Sequence, residues 1–198
     1  MYNLLFLMLF FCSNVICNGN PNIIIFKMQN DNILKEGSNY LYGGLNAIDK
    51  INYLLEIIDV DNIITINDNF ENCLLNSKKK SFSSIYGSEI HEELLFKKKP
   101  FNFYTSGSPI LYNSSFVKFI HNINDTFILT GLEGEKEINQ ASNFFTLLKK
   151  NVIIYLPGIV WKSEDNKNNT IEKMVKRKNI IINDSDNKKN IYKQLLNI

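Results

Sequence analysis

The run from Asn22 to Asp31 reads Asn-Ile-Ile-Ile-Phe-Lys-Met-Gln-Asn-Asp. Three β-branched isoleucines and a phenylalanine favour a buried strand, and a lysine closes it. In an open α/β sheet, ligands and chemistry sit just past the carboxyl end of such a strand. Lys27 is therefore the first residue to question, with Gln29 and Asp31 beside it as pocket candidates. A lysine can act as a base only if its pKa is driven well down by its surroundings.

The other reactive side chains are few. Cys73 lies in an irregular stretch with no histidine near it in sequence, so an unreactive, partly buried thiol is expected rather than a nucleophile. His91 and His121 read as packing or surface residues. Lys78 to Lys80 and Lys97 to Lys99 are short basic runs of the kind that sit in solvated loops. A formal charge of +2 gives no electrostatic argument for nucleic acid.

The elements that must hold these residues alternate. Strands are expected at 23–26, 62–66, 101–104, 125–130, 152–156 and 179–182, the fifth broken by Pro157-Gly158. Helices are expected at 45–58, 115–122, 137–150, 170–178 and 186–196. In the first of these, Leu45, Ile48, Ile51, Leu54, Leu55 and Ile58 recur at three- and four-residue spacings. Residues 28–42 and 67–95 read as long loops. Near-continuous apolar strands between helices imply a doubly wound α/β domain, a mainly parallel sheet with helices on both faces.

Residues 1–18 stand apart. Leu4 to Phe11 is an apolar run with a small-residue exit near Val15 to Cys17. It is shorter than the roughly 20 residues of a membrane span and reads as a secretory leader. Residues 19–198 then form one domain, expected to be secreted. Sequons at Asn113, Asn124, Asn168 and Asn183 fit that route. If the leader is removed, Cys12 and Cys17 leave with it, and a chain with Cys73 alone forms no internal disulfide. No transmembrane span is expected after the leader.

Several motifs in order carry a resemblance. Met28-Gln-Asn-Asp31 follows the first strand, and Gly43-Gly44 opens the next helix. Asp61 to Asp68, Gly87-Ser-Glu-Ile-His91-Glu-Glu-Leu94, Tyr112-Asn-Ser-Ser-Phe116 and Phe127-Ile-Leu-Thr-Gly131 follow. Together they resemble the nicotinamidase and isochorismatase-like cysteine hydrolases over roughly residues 22–197. That resemblance implies the isochorismatase-like fold and an amidase apparatus of Asp, Lys and Cys. The Asp takes a proton from the thiol, the Lys orients and polarises, and the thiolate attacks an amide carbonyl from a helix N-terminus.

At the matching positions this chain has Lys27 for the Asp, Glu137 for the Cys, and Tyr104 or Thr105 near the Lys. No catalytic residue of the pattern is intact. Of the metal loop, Asp68 remains, while the histidine positions read Phe70 and Lys80. One carboxylate does not hold a metal at a three- or four-ligand site, so neither metal nor other cofactor is expected. Trp161, the only tryptophan, falls in the loop after the fifth strand, which in this fold can line the pocket or a subunit contact; simple packing is the equal alternative.

The reading is a catalytically inactive domain acting as a binding or assembly module. Self-association or a protein partner is implied by the resemblance, and a small ligand is compatible with it. The alternative is a divergent amidohydrolase acting on a small amide, with Lys27, Asp31, Asp68 and Glu137 around one pocket; a third reading is a small-molecule carrier. Because Lys27 and Glu137 are opposite in sign, an ion pair across the old site is expected.

Overall fold

β-branched and aromatic residues set the six strands, and their spacing sets the layers. The computed structural model describes residues 19–37, 39–68, 89–105, 109–123 and 126–196. The strands are β1 Asn22–Phe26, β2 Ile63–Asp68, β3 Phe101–Thr105, β4 Thr126–Gly131, β5 Asn151–Ile159 and β6 Ile180–Asn183. They form one sheet in the order β3-β2-β1-β4-β5-β6, every pair parallel. The helices are α1 Gly44–Ile57, α2 Ser114–His121, α3 Asn139–Leu147, α4 Glu164–Val175 and α5 Lys188–Leu196. Among the described residues, no helix is long and apolar enough to cross a membrane.

Alternate strand residues feed two cores. Ile23 and Ile25 point into the core that α1 and α5 cover through Ile48, Ile51, Leu54 and Ile191. Ile24 and Phe26 point into the other, filled by Phe116, Ile120, Phe145 and Met174 from α2, α3 and α4. Burial on both sides explains why the strands read as unbroken apolar runs. The chain leaves β1 for α1 on one face and leaves β4 for α3 on the opposite face. β1 and β4 are neighbours, so the crevice between their carboxyl ends is the topological switch point of the sheet.

Some elements differ from expectation. β5 is not broken at Pro157 but continues to Ile159. Its pairing with β6 ends at Tyr155, so Pro157 lies beyond the stretch where that neighbour needs an N–H. On the other side the β4 register shifts between Leu129 and Gly131, which accommodates the irregularity. The helix expected at 170–178 begins earlier, at Glu164, with Ser163 accepting from the Asn166 amide. Its first turns are polar, and only Thr170 and Met174 are buried, so apolar periodicity could not find its start. The helix expected at 137–150 is a π-turn, Gly134–Ile138, running into α3. The loop at 28–42 contains a single helical turn, Asn30–Ile33.

Two lysines of the run at 97–99 have structural work. Lys97 donates to Glu56 O at 3.0 Å at the end of α1, and Lys98 donates to the Val60 carbonyl just beyond it. This satisfies carbonyls left over at and beyond a helix C-terminus. The leader at 1–18, Cys73, Phe70, Lys78 to Lys80, Gly87, Gly107 and Asn124 lie outside the described residues.

Candidate functional site

Three segments converge at the switch point. β1 ends at Phe26, and Lys27 follows with φ 56° in the left-handed region. Its amide still donates to Ile66 O at 2.7 Å, which keeps β1 pinned to β2 as the chain turns. Gly131, at the end of β4, passes so close to β1 that a Cβ there would overlap the Phe26 backbone. Only glycine fits that approach at φ 114°. Leu132 then donates to Phe26 O at 2.9 Å, and Glu133, also at φ 56°, leads into the π-turn.

The Lys27 ammonium is the centre of the site. Its Nζ stands 2.7 Å from Glu133 Oε2, 3.0 Å from Asp68 Oδ2 and 3.3 Å from Glu137 Oε1. Lys27 is 6% exposed and Glu137 4%. The expected pair between Lys27 and Glu137 is present, as one contact of a larger network. At its rim, Lys136 Nζ lies 3.6 Å from Glu137 Oε1 and Lys162 Nζ 3.9 Å from Glu133 Oε1. Three carboxylates thus face three ammonium groups, and the formal charges cancel.

Burial alone would lower the Lys27 pKa, but Asp68, Glu137 and Glu133 outweigh it and raise the ammonium above the ordinary lysine range. Burial works against the Glu133 carboxylate as well, yet the Lys27 hydrogen bond and charge hold it below the usual range. The geometry and the raised pKa both favour the charged form of Lys27 at neutral pH.

The other candidates are placed as follows. Gln29 is fully buried and clamps Asp68, donating from Nε2 to its carbonyl at 2.9 Å and accepting from its amide at 2.7 Å. Asp31 is buried and accepts from Asn39 Nδ2 at 2.7 Å. Tyr104 is 48% exposed, and on β3 it is the neighbouring Thr105 that reaches the site, donating to Asp68 Oδ1 at 2.7 Å. His91 is buried and its Nδ1 accepts from Glu93 N, while His121 is exposed at the end of α2.

Trp161 packs against the start of the π-turn, its ring carbons 2.8 Å from where a Gly134 Cβ would stand. It also lines a cleft of about 260 Å³ with Tyr42, Gly43, Ala47 and Val160, and none of the Lys27 network residues lines that cleft. Its indole N–H is buried without a hydrogen-bond partner among the described residues.

Sequence reasoning missed Glu133, and it left Thr105 undistinguished from Tyr104. Glu133 gives Lys27 its shortest contact, and the signal for it was the Glu133-Gly-Glu-Lys-Glu137 cluster directly after Gly131. Glu135 of that cluster turns the other way, accepting from the Lys162 amide at 2.7 Å.

No protein-family model matches the chain, and no curated protein does. Solved structures do match. An isochorismatase family protein from Desulfovibrio vulgaris superposes with a TM-score of 0.70 at 14% identity, covering 90% of this chain and 99% of that one. Pyrazinamidase of Pyrococcus horikoshii, solved in complex with zinc, gives 0.67 at 14% identity over 84% and 99%. N-carbamoylsarcosine amidase from Thermoplasma acidophilum gives 0.63 at 14% identity over 85% and 98%. The chain has the isochorismatase-like hydrolase fold.

The zinc of that pyrazinamidase complex finds no matching donor set among the described residues. No group of three or more His, Cys, Asp or Glu side chains there is arranged to hold a metal ion. Asp68 has one oxygen accepting from the Thr105 hydroxyl and the other against the Lys27 ammonium.

Proposed function

We propose that this chain is a catalytically silent isochorismatase-like domain retained as a binding or assembly module. The observation that carries this reading is the Lys27 ammonium held by Asp68, Glu133 and Glu137. In the cysteine hydrolases that the sequence resembles, the Lys27 position accepts a proton and the Glu137 position supplies the thiol. Here the first is a stabilised cation. The second is a carboxylate, a far weaker nucleophile than a thiolate, with two ammonium groups on its Oε1. The amine expected near the end of β3 is absent: Thr105 faces Asp68 and Tyr104 is largely exposed.

The test is ammonia release from nicotinamide and pyrazinamide by the purified chain. No turnover above buffer is expected. Turnover that disappears in Lys27→Ala or Glu137→Ala would show instead a divergent amidohydrolase built on the same groups. Sedimentation of the purified chain, alone and with co-purifying proteins, reports the assembly role; a monomer that recruits no stoichiometric partner removes it.

One observation favours a small-molecule carrier as a second reading. Trp161 lines a cleft separate from the ion network and carries an indole N–H with no partner among the described residues. A carrier would show saturable quenching of tryptophan fluorescence on titration with nicotinamide or another aromatic amide. A flat titration across that set of ligands excludes it.

A further inference from the structure

The sequence has four Asn-x-Ser/Thr sequons, and the fold treats the three whose asparagines are described very differently. Asn113 is the N-cap of α2. Its Oδ1 accepts from the Phe116 amide at 3.0 Å, and its Nδ2 donates to Tyr104 O at 3.2 Å. Both ends of that amide are in use. Asn183, at the end of β6, is 1% exposed. Its Nδ2 donates to Gln194 Oε1 at 2.7 Å, and its Oδ1 accepts from the Ser185 amide at 3.1 Å.

Asn168 is the opposite case. It is exposed on α4, and its side-chain amide makes no hydrogen bond to the described residues. The residues that α4 buries are Thr170 and Met174. At 100° per residue, Asn168 lies about 160° from Thr170 and about 120° from Met174 around the helix axis, on the outer face.

We infer that Asn168 is an N-glycosylation site of this protein, and that Asn113 and Asn183 are not glycosylated in its folded form. The inference rests on entry of the chain into the secretory pathway through its apolar leader, not on the reading of the Lys27 site. The donor is a lipid-pyrophosphate-linked oligosaccharide. The Asn168 Nδ2 attacks the anomeric carbon, and a C–N bond forms as the sugar–phosphate bond breaks. The lipid pyrophosphate leaves, and the amide proton passes to the transferase.

Thr170 is 6% exposed in the folded chain, so the hydroxyl of that sequon is open only before α4 docks. Transfer therefore precedes folding, and the fold decides which products survive. A glycan on Asn168 projects into solvent and disturbs nothing. A glycan on Asn183 would replace a buried N–H donor and has no room beside α5. A glycan on Asn113 would break a helix cap and a strand contact together.

The experiment is expression of the full chain in a eukaryotic secretory host, with site occupancy measured by mass spectrometry on the secreted, soluble product. The expected result is occupied Asn168 and bare Asn113 and Asn183. Asn168→Gln should remove the glycosidase-sensitive mass in an Asn124→Gln background, and the protein should still be secreted. Glycan on Asn113 or Asn183 of the folded product, a bare Asn168, or a chain that never enters the lumen each overturns the inference. Ammonia release is unaffected by any of these outcomes, so this result and that of the amidase test are independent.

Discussion

Lys27→Met removes the ammonium and keeps the length and most of the volume of the side chain. Both residues meet the same strain at φ 56°, so the backbone term cancels. What is lost is the single cation inside a group of three carboxylates at 2.7, 3.0 and 3.3 Å. Breaking a buried ion pair from one side costs about 3–5 kcal/mol, because an uncompensated charge stays behind. Glu133 and Glu137 keep Lys162 and Lys136 at 3.9 and 3.6 Å, and Asp68 keeps the Thr105 hydroxyl. These remnants place the expected loss near the lower end, about 3 kcal/mol. With a urea m-value of about 2 kcal/mol/M, the midpoint should fall by about 1.5 M.

The pH dependence separates this account from simple loss of packing. In the native chain the Glu133 carboxyl lies below its ordinary value, so its stabilisation is complete above about pH 4.5 and is lost as pH falls through the folded value. Lys27 lies above its ordinary value near 10.5, so its share holds at every pH below that and fades only as pH rises through the folded value. In Lys27→Met the hydrogen bond and charge that hold the Glu133 carboxyl down are gone, its pKa rises, and the folded state takes up a proton that the unfolded state does not. The variant should therefore gain stability as pH falls from 7 to 4.5, and the gap to native should narrow. A gap under about 1 kcal/mol at pH 7, or one unchanged between pH 7 and 4.5, would refute the network as the source of stability.

Four further outcomes are expected. Gln29→Ala removes both hydrogen bonds that fix the Asp68 backbone and should cost about 2–3 kcal/mol in urea unfolding, with Thr105→Val costing about 1 kcal/mol at the same carboxylate. Gly131→Ala drives a Cβ into the Phe26 backbone at φ 114° and should cost about 3 kcal/mol or more, read as a lower thermal midpoint or loss of soluble protein. Tyr155→Phe removes the 2.6 Å donation to Asp186 that ties β5 to the segment before α5. Asp186 is half-exposed, so the change should cost about 1 kcal/mol at pH 7, and hydrogen exchange should rise first in α5.

The parts of the fold legible in sequence were those that bury apolar side chains at a fixed period. Ile23 to Phe26, Ile63 to Ile66 and Val152 to Ile154 announce central strands because both of their faces are covered. The first two turns of α4 were not legible, since a helix that buries only Thr170 and Met174 leaves no stripe to read. Lys27 and Glu137 could be placed because flanking motifs fix the end of β1 and the start of the helix after β4. Thr105 could not be told from Tyr104, because that choice depends on which face of an edge strand looks at Asp68. Glu133 escaped for a different reason: the acidic cluster after Gly131 was visible, but which of its carboxylates faces Lys27 is set by the φ of 56° at Glu133.

The network also changes what the opposite-sign pair means. A lone buried Lys27–Glu137 pair would make each partner indispensable to the other, so either single loss would be severe and the double loss mild. The geometry breaks that symmetry. Lys27 touches three acids, while Glu137 touches two lysines, one of them at the exposed rim. Glu137→Gln leaves the ammonium with Asp68 and Glu133 and offers it an amide oxygen, so it should cost about 1–2 kcal/mol, well below Lys27→Met. Equal losses from the two single variants would mean that Asp68 and Glu133 contribute nothing and the isolated pair is the correct picture. Unequal losses in the stated order mean that the strand-end lysine is the organising cation of this network. On that account Glu137 is one of three supports for it.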